Sequence, residues 1–327
     1  MTEPLRSELD PEAAAVVREI EAEGVPEWSS LSVESARRVE DEVFSGGDPP
    51  EVEFVRDLSI PGSESEIPIR VYRPGVASGD PGPEGTDSAF GDDLPVLVYY
   101  HGGGWVLGTL DSIDGVCRRL ARRGECVVVS VDYRLAPEHP FPAAVEDARA
   151  ALRWVAENAG AFGGDPERVA VGGTSAGGNL AAVTALGARA SGGRPTPARQ
   201  FLFYPITDRA FDTDSYAENA EGPLLTRADM EWFWDHYLRS EVDAANPYAS
   251  PLRARDLSGL PPATVLTAGF DPLRDEGIAY AERLADAGVE VRHDHYPGMV
   301  HGFLSASESI AVADEALDEV AEELRAL

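Results

Sequence analysis

From Leu94 onward the chain alternates short apolar runs with helical patterns, and that alternation leaves few architectures open. The runs are LPVLVYY, ECVVVSVDY, RVAVGG, RQFLFYP, PATVLTAG and VEVRHDHYP. Most are apolar at consecutive positions, so neither face of the strand is kept for water. Strands buried on both faces, with helices between them, form a mostly parallel sheet covered on both sides. A helix of small residues spans Ala176 to Ala190, and another closes the chain from about Ser307 to Leu327. Upstream, Glu51–Ile60 and Ile67–Tyr72 read as an antiparallel pair around the turn Pro61-Gly62-Ser63. The Gly-, Pro- and Asp-rich stretch between Gly75 and Asp93 reads as an exposed loop. The fold class is α/β.

Two segments stand outside the alternation. Leu9, Ala13, Val16, Val17 and Ile20 recur at helical spacing until Gly24 and Pro26. A second helix is expected from Ser32 to Val43, broken by Gly46-Gly47-Asp48-Pro49-Pro50. Between two core strands, Thr207 to Asn246 carries no convincing strand but holds the aromatic helix ADMEWFWDHYL. Met230, Trp232, Phe233, Trp234 and Tyr237 read as a cap packed on the core rather than a partner-binding face. The expected division is N-terminal cap helices at 1–50, core at 51–206, cap insertion at 207–247 and core again at 248–327. Both helical segments are placed to form a lid.

Charge separates this chain from most globular ones. It has 58 Asp and Glu against 27 basic residues, every one of them Arg, for a net charge of −31. Such a charge repels itself in the compact state. At about 1 M salt the Debye length falls to roughly 3 Å, which screens that repulsion. The expectation is a protein adapted to molar internal salt. The same charge argues against a nucleic-acid partner. No apolar stretch approaches bilayer length, so no membrane partner is expected. The acidic N-terminus shows no signal sequence, which makes the expected location cytoplasmic. Cys117 and Cys126 read as buried thiols, and no metal site is expected near them.

Chemistry concentrates in four motifs. Gly173-Thr174-Ser175-Ala176-Gly177 follows a strand and opens a helix, the context in which a serine projects from a tight elbow as a nucleophile. His101-Gly102-Gly103-Gly104-Trp105 follows another strand, and its glycines let backbone N–H groups approach a ligand. Such a loop, joined by the N–H of Ala176, stabilises an oxyanion. A serine nucleophile needs a base, and the base an orienting carboxylate. Of the histidines after Ser175, His293 and His295 fall within a strand and His236 within the aromatic helix. His301, in the loop YPGMVHGF, is the best base by position. Asp271 ends the strand PATVLTAG, where catalytic groups gather in such sheets, and is favoured over Asp275 as the acid.

Together the stretches HGGGW, DYRLAPEHPFPAA, GTSAGGN, DPLRDEG and HGF, from His101 to Phe303, resemble the hormone-sensitive-lipase-like family of carboxylesterases. The resemblance implies an α/β-hydrolase fold with an eight-stranded sheet and a helical cap. Residue by residue it implies Ser175 as nucleophile, Asp271 as acid, His301 as base, and Gly103, Gly104 and Ala176 as oxyanion donors, with Trp105 and the cap shaping the pocket. Thr174 stands where Asp is frequent in the family, and GTSAGG resembles one of its branches. Asp132, Arg134 and Glu138 look structural, a loop pinned by charge pairs beside the site. The implied substrate is a small ester with a short to medium acyl chain, without a cofactor. A homodimer pairing through the strand VEVRHDHY is compatible with the resemblance. Amide substrates, as for a peptidase or arylformamidase, use the same apparatus and remain the nearest alternative. A non-catalytic small-molecule receptor would not need all of Ser175, Asp271 and His301.

Overall fold

The computed structural model describes residues 4–45, 49–75, 93–192 and 195–327. The loop expected between Gly75 and Asp93, and most of the break expected at 46–50, lie outside the described residues.

Eight strands form one sheet: β1 (Phe54–Pro61), β2 (Glu66–Arg73), β3 (Leu94–Tyr100), β4 (Val127–Val131), β5 (Gly164–Thr174), β6 (Gln200–Phe203), β7 (Ala263–Phe270) and β8 (Val291–Val300). Their order across the sheet is β1-β2-β4-β3-β5-β6-β7-β8. β1 pairs antiparallel with β2, and β2 antiparallel with β4; every later pairing is parallel. The apolar runs are continuous because the sheet divides two cores. On β3, Val96, Val98 and Tyr100 pack into one, while Leu97 and Tyr99 pack into the other. On β4, Val127, Val129 and Val131 join the first and Val128 the second.

Nine α-helices are present among the described residues: α1 (Pro11–Ala22), α2 (Val33–Phe44), α3 (Asp114–Arg123), α4 (Ala143–Asn158), α5 (Ala176–Ala190), α6 (Asp214–Glu218), α7 (Arg227–Tyr237), α8 (Arg274–Asp286) and α9 (Ala311–Arg325). α4, α5 and α8 contribute to the first core, and α3 and α9 to the second. Helix α5 is buried from Ala176 to Ala188, which is why it carries small apolar residues all round. Side-chain caps close the N-termini of the helices outside the alternation. Asp10 accepts from Glu12 N–H on α1, Ser32 from Ser35 N–H on α2, and Thr226 forms a reciprocal capping box with Asp229 on α7.

The helices outside the alternation meet each other. Ser29, in the turn between α1 and α2, donates its N–H to Asp229 of α7 at 2.8 Å. Met230, Phe233, Trp234 and Tyr237 on α7 are buried, so the aromatic face packs inward. Cys117 and Cys126 are buried free thiols, each pushed up by burial, Cys126 to about 12. No helix among the described residues is long and apolar enough to cross a membrane.

Candidate active site

Ser175 sits between β5 and α5 with φ 55° and ψ −116°, a conformation that side chains other than glycine rarely adopt. The flanking glycines explain how the turn closes. A Cβ on Gly173 would lie 2.3 Å from Tyr100 O, and one on Gly177 only 1.9 Å from the same oxygen. Neither position tolerates a side chain, so the spacing of the motif follows from the end of β3 running beneath the turn. The backbone of Ser175 is fixed as well. Its N–H donates to Phe203 O at 2.9 Å, and its carbonyl accepts from Asn179 N–H and Ile206 N–H. The Asn179 side chain, buried within α5, donates to Ile206 O and Ala249 O at 2.9 Å each.

Asp271 and His301 arrive from the ends of two neighbouring strands. The register of β7 against β8 shifts between Ala268 and Phe270. Gly269 makes room for it, since a Cβ there would lie 2.1 Å from Pro297 O. Beyond this close crossing, Asp271 leaves β7 and His301 leaves β8 side by side. His301 Nδ1 lies 2.8 Å from Asp271 Oδ2, and His301 Nε2 lies 3.1 Å from Ser175 Oγ. Asp271 is completely buried, and its other oxygen accepts Leu273 N–H at 2.8 Å. The Tyr204 ring meets the imidazole edge-on at 4.9 Å. Serine, imidazole and carboxylate therefore form one hydrogen-bonded line, able to move a proton off the hydroxyl and stabilise the imidazolium that results.

The glycine loop lies against the elbow: a Cβ on Gly102 would stand 3.3 Å from Thr174 Oγ1 and 3.6 Å from Ser175 Cβ. Its carbonyls are tied down. Gly102 O lies 2.8 Å from His101 Nδ1 and accepts from Tyr133 Oη at 3.3 Å. Gly103 O accepts from Val106 N–H at 3.0 Å and Leu107 N–H at 2.8 Å. In a planar trans peptide the N–H points away from the C=O. Fixing these two carbonyls therefore aims the N–H groups of Gly103 and Gly104 in the opposite direction. Gly103 and Gly104 hold φ of 96° and 58°, conformations that glycine adopts at little cost. Ala176, the first residue of α5, has its N–H among those a helix leaves without an intrahelical acceptor. His101 is buried and stacked on Tyr133 at 4.2 Å; burial holds its imidazole down to about 4, so the ring is neutral near pH 7.

A cavity of about 880 Å³ opens over Ser175 and His301, walled by α1, α2 and α7 and by the glycine loop. Leu9, Val17 and Ile20 supply apolar wall from the N-terminal segment, Met230 and Phe233 from the insertion. Glu40 on α2 also faces it; burial raises its carboxyl above the usual range, against hydrogen bonds from Ser112 and Gly108.

The expectation for Trp105 needs correcting. The indole is fully buried and is not part of the cavity wall. It stacks on Tyr237 at 4.0 Å and leans on Trp234 at 4.8 Å, behind the loop rather than in front of it. Trp105 holds a φ of 61°, and a side chain on the neighbouring Gly104 would meet Phe233. Asp275 lies off the line as well; its carboxylate accepts Ser215 N–H and pairs with Arg274. His293 and His295 both contact Thr267 Oγ1 at 2.9 Å within the sheet. Arg134 is held by Asp147 and Glu64, and Glu138 by Arg37. Among the described residues Asp132 makes no ion pair, and burial raises its carboxyl.

The chain matches the α/β-hydrolase fold family over residues 97–305. It is 52% identical over 256 residues to carboxylic ester hydrolase LipN of Mycobacterium tuberculosis, a match covering 77% of this chain and 64% of that protein, just under two thirds of its length. It is 37% identical over 324 residues to an ethyl acetate hydrolase of Pseudomonas putida, covering 97% and 98% of the two chains. Among solved structures, ester-hydrolase EH1AB1 from the metagenome of Lake Arreo, complexed with a bipyridine phosphonate derivative, superposes with a TM-score of 0.88 at 44% identity. That alignment covers 97% of this chain and 98% of the other.

Proposed function

This chain belongs to the α/β-hydrolase-fold family, among its hormone-sensitive-lipase-like carboxylesterases, and on that premise we propose that it hydrolyses short- to medium-chain acyl esters through an acyl-enzyme on Ser175. The observation that carries the reading is the line from Asp271 Oδ2 through His301 to Ser175 Oγ, with contacts of 2.8 and 3.1 Å.

In this reaction His301 Nε2 takes the proton of Ser175 as Oγ attacks the ester carbonyl. The oxyanion that forms is held by the N–H groups of Gly103, Gly104 and Ala176. His301 returns the proton to the departing alkoxide, which leaves as the alcohol. Water then attacks the acyl-serine with the same imidazole as base, releasing the carboxylic acid and restoring Ser175. Asp271 keeps the proton on Nδ1 and balances the imidazolium. The segments 1–50 and 207–247 act as a cap over the cavity, and its apolar wall favours acyl chains over charged groups.

Ester rather than amide chemistry is favoured by the relatives, named as carboxylic ester hydrolase and ethyl acetate hydrolase. Salt adaptation rests on the −31 charge and the exclusive use of Arg. Hydrolysis of p-nitrophenyl acetate, butyrate, octanoate and palmitate, each at about 0.1 M and about 3 M potassium chloride, tests the reading. Turnover of the short esters, greater at high salt, supports it. A folded protein that cleaves only anilide analogues contradicts the ester assignment.

A further inference from the structure

We propose that Arg37, on α2 in the N-terminal segment, is a positioning residue that holds the glycine loop in its oxyanion-binding shape. The proposal rests on the reading of that loop as the oxyanion site.

The guanidinium reaches the loop directly at Val106 and, through Ala136 of the segment after β4, at a residue that braces it. Its Nε–H donates to Val106 O at 2.9 Å, and an Nη2–H donates to Ala136 O at 2.8 Å. Each of these carbonyls belongs to a residue that also ties the loop through its own N–H. Val106 N–H donates to Gly103 O at 3.0 Å, and Ala136 N–H donates to Trp105 O at 2.9 Å. Arg37 thus holds, from outside, one residue that ties the carbonyl on each side of Gly104: Val106 for Gly103 O and Ala136 for Trp105 O. The C=O of Gly103 shares a rigid plane with the N–H of Gly104, so the direction of that donor depends on the ties at Val106 and, at 2.8 Å, Leu107, of which Arg37 braces the first. Two further donors of Arg37 close on Glu138 at 2.9 and 2.7 Å, which steadies the fork. One turn along the same helix, Glu40 takes a hydrogen bond from the backbone of Gly108, where the loop ends.

Because α2 belongs to the proposed cap, the cap is part of the catalytic apparatus as well as a cover. An oxyanion donor acts only in the transition state, so misdirecting it lowers kcat and leaves KM nearly unchanged. Lysine offers a point charge in place of a planar fork and cannot reproduce both carbonyl contacts.

The test compares wild type, Arg37→Ala, Arg37→Lys and Glu138→Gln in hydrolysis of p-nitrophenyl butyrate, with thermal melts to establish that each is folded. A short alkyl trifluoromethyl ketone, which forms the tetrahedral oxyanion, serves as a second probe. The expected result is a kcat lower by about 10- to 100-fold in Arg37→Ala, with KM changed by no more than about threefold. Affinity for the ketone should fall in parallel with kcat/KM. Arg37→Lys should lie between, and remains informative should Arg37→Ala fail to fold. Glu138→Gln, which keeps both carbonyl contacts, should retain kcat near wild type. Unchanged kcat in the folded Arg37 variants, or a loss confined to KM, overturns the proposal and leaves the esterase reading standing. A loss in Glu138→Gln equal to that of Arg37→Ala also overturns it, since the ion pair alone would then be responsible. A folded wild-type protein without ester turnover overturns both.

Discussion

The ring of Phe233 occupies the space that a side chain on Gly104 would need: an added Cβ would stand 2.2 Å from Phe233 Cδ1. The insertion helix therefore packs directly on the glycine loop at the residue proposed as an oxyanion donor. Gly104 is doubly restricted, because its φ of 58° disfavours any L side chain even without the ring.

Gly104→Ala should accordingly lower kcat/KM by about 10²-fold or more and lower the melting temperature. Adding Phe233→Ala should recover part of the melting temperature without restoring turnover, because the backbone strain persists. Steady-state kinetics and thermal melts on the single and double variants check this. A Gly104→Ala variant with wild-type kcat would remove Gly104 from the oxyanion site.

Asp271→Asn should keep the fold and lose about 10⁴-fold in kcat, since an amide at this position stabilises the wrong imidazole tautomer. Asp275→Asn should cost stability instead, because its carboxylate serves Ser215 N–H and Arg274. The pair of variants decides between the two carboxylates that the sequence places near the end of β7. Equal losses in kcat for both would count against the assignment.

Acid should destabilise the protein through His101. Its imidazole titrates at about 4 in the fold against 6.5 when free, because it is buried. Between these values the unfolded chain takes up a proton that the folded chain refuses. The stability tied to neutral His101 is thus complete above about pH 6.5 and lost as pH falls through about 4, a change of roughly 3 kcal/mol. Glu40, whose carboxyl burial raises, acts in the opposite sense, so the informative quantity is the difference between wild type and His101→Asn. Urea unfolding across that range should show a flatter pH dependence in the variant. An identical pH dependence in both proteins would contradict the neutral buried ring.

Most of this arrangement is legible in the sequence, because the elements that build it are short-range. Both-face burial writes continuous apolar strands, so β3 to β7 can be recognised without contacts. The elbow demands glycine at 173 and 177, and strand ends supply Asp271 and His301. Long-range packing is not legible. Nothing around Trp105 signals that its φ is positive or that Tyr237, more than a hundred residues away, receives the indole. Strand β8 continues through Pro297 and Gly298 to Val300 by bulging, with Pro297, Gly298 and Met299 opposite Gly269 of β7, whereas a proline and glycine in sequence read as a strand's end. Arg37 carries no motif at all; its role depends on α2 docking against a loop seventy residues downstream.

Salt should stabilise the protein. Exposed ion pairs weaken on screening, but each contributes little, whereas 58 acidic groups against 27 basic ones leave a large net repulsion. The melting temperature should rise steadily between about 0.1 M and about 3 M potassium chloride. A melting temperature independent of salt would contradict salt adaptation.

The central claim is that Ser175, activated by His301, is the nucleophile. Its most direct test is hydrolysis of p-nitrophenyl butyrate by Ser175→Ala alongside wild type, both shown to be folded by their thermal melts. The account predicts a loss of about 10⁶-fold in kcat, with an unchanged fold because the hydroxyl's hydrogen bond runs to His301 Nε2, which the catalytic line and not the core requires. Substantial turnover by the folded variant would contradict it and place the nucleophile elsewhere.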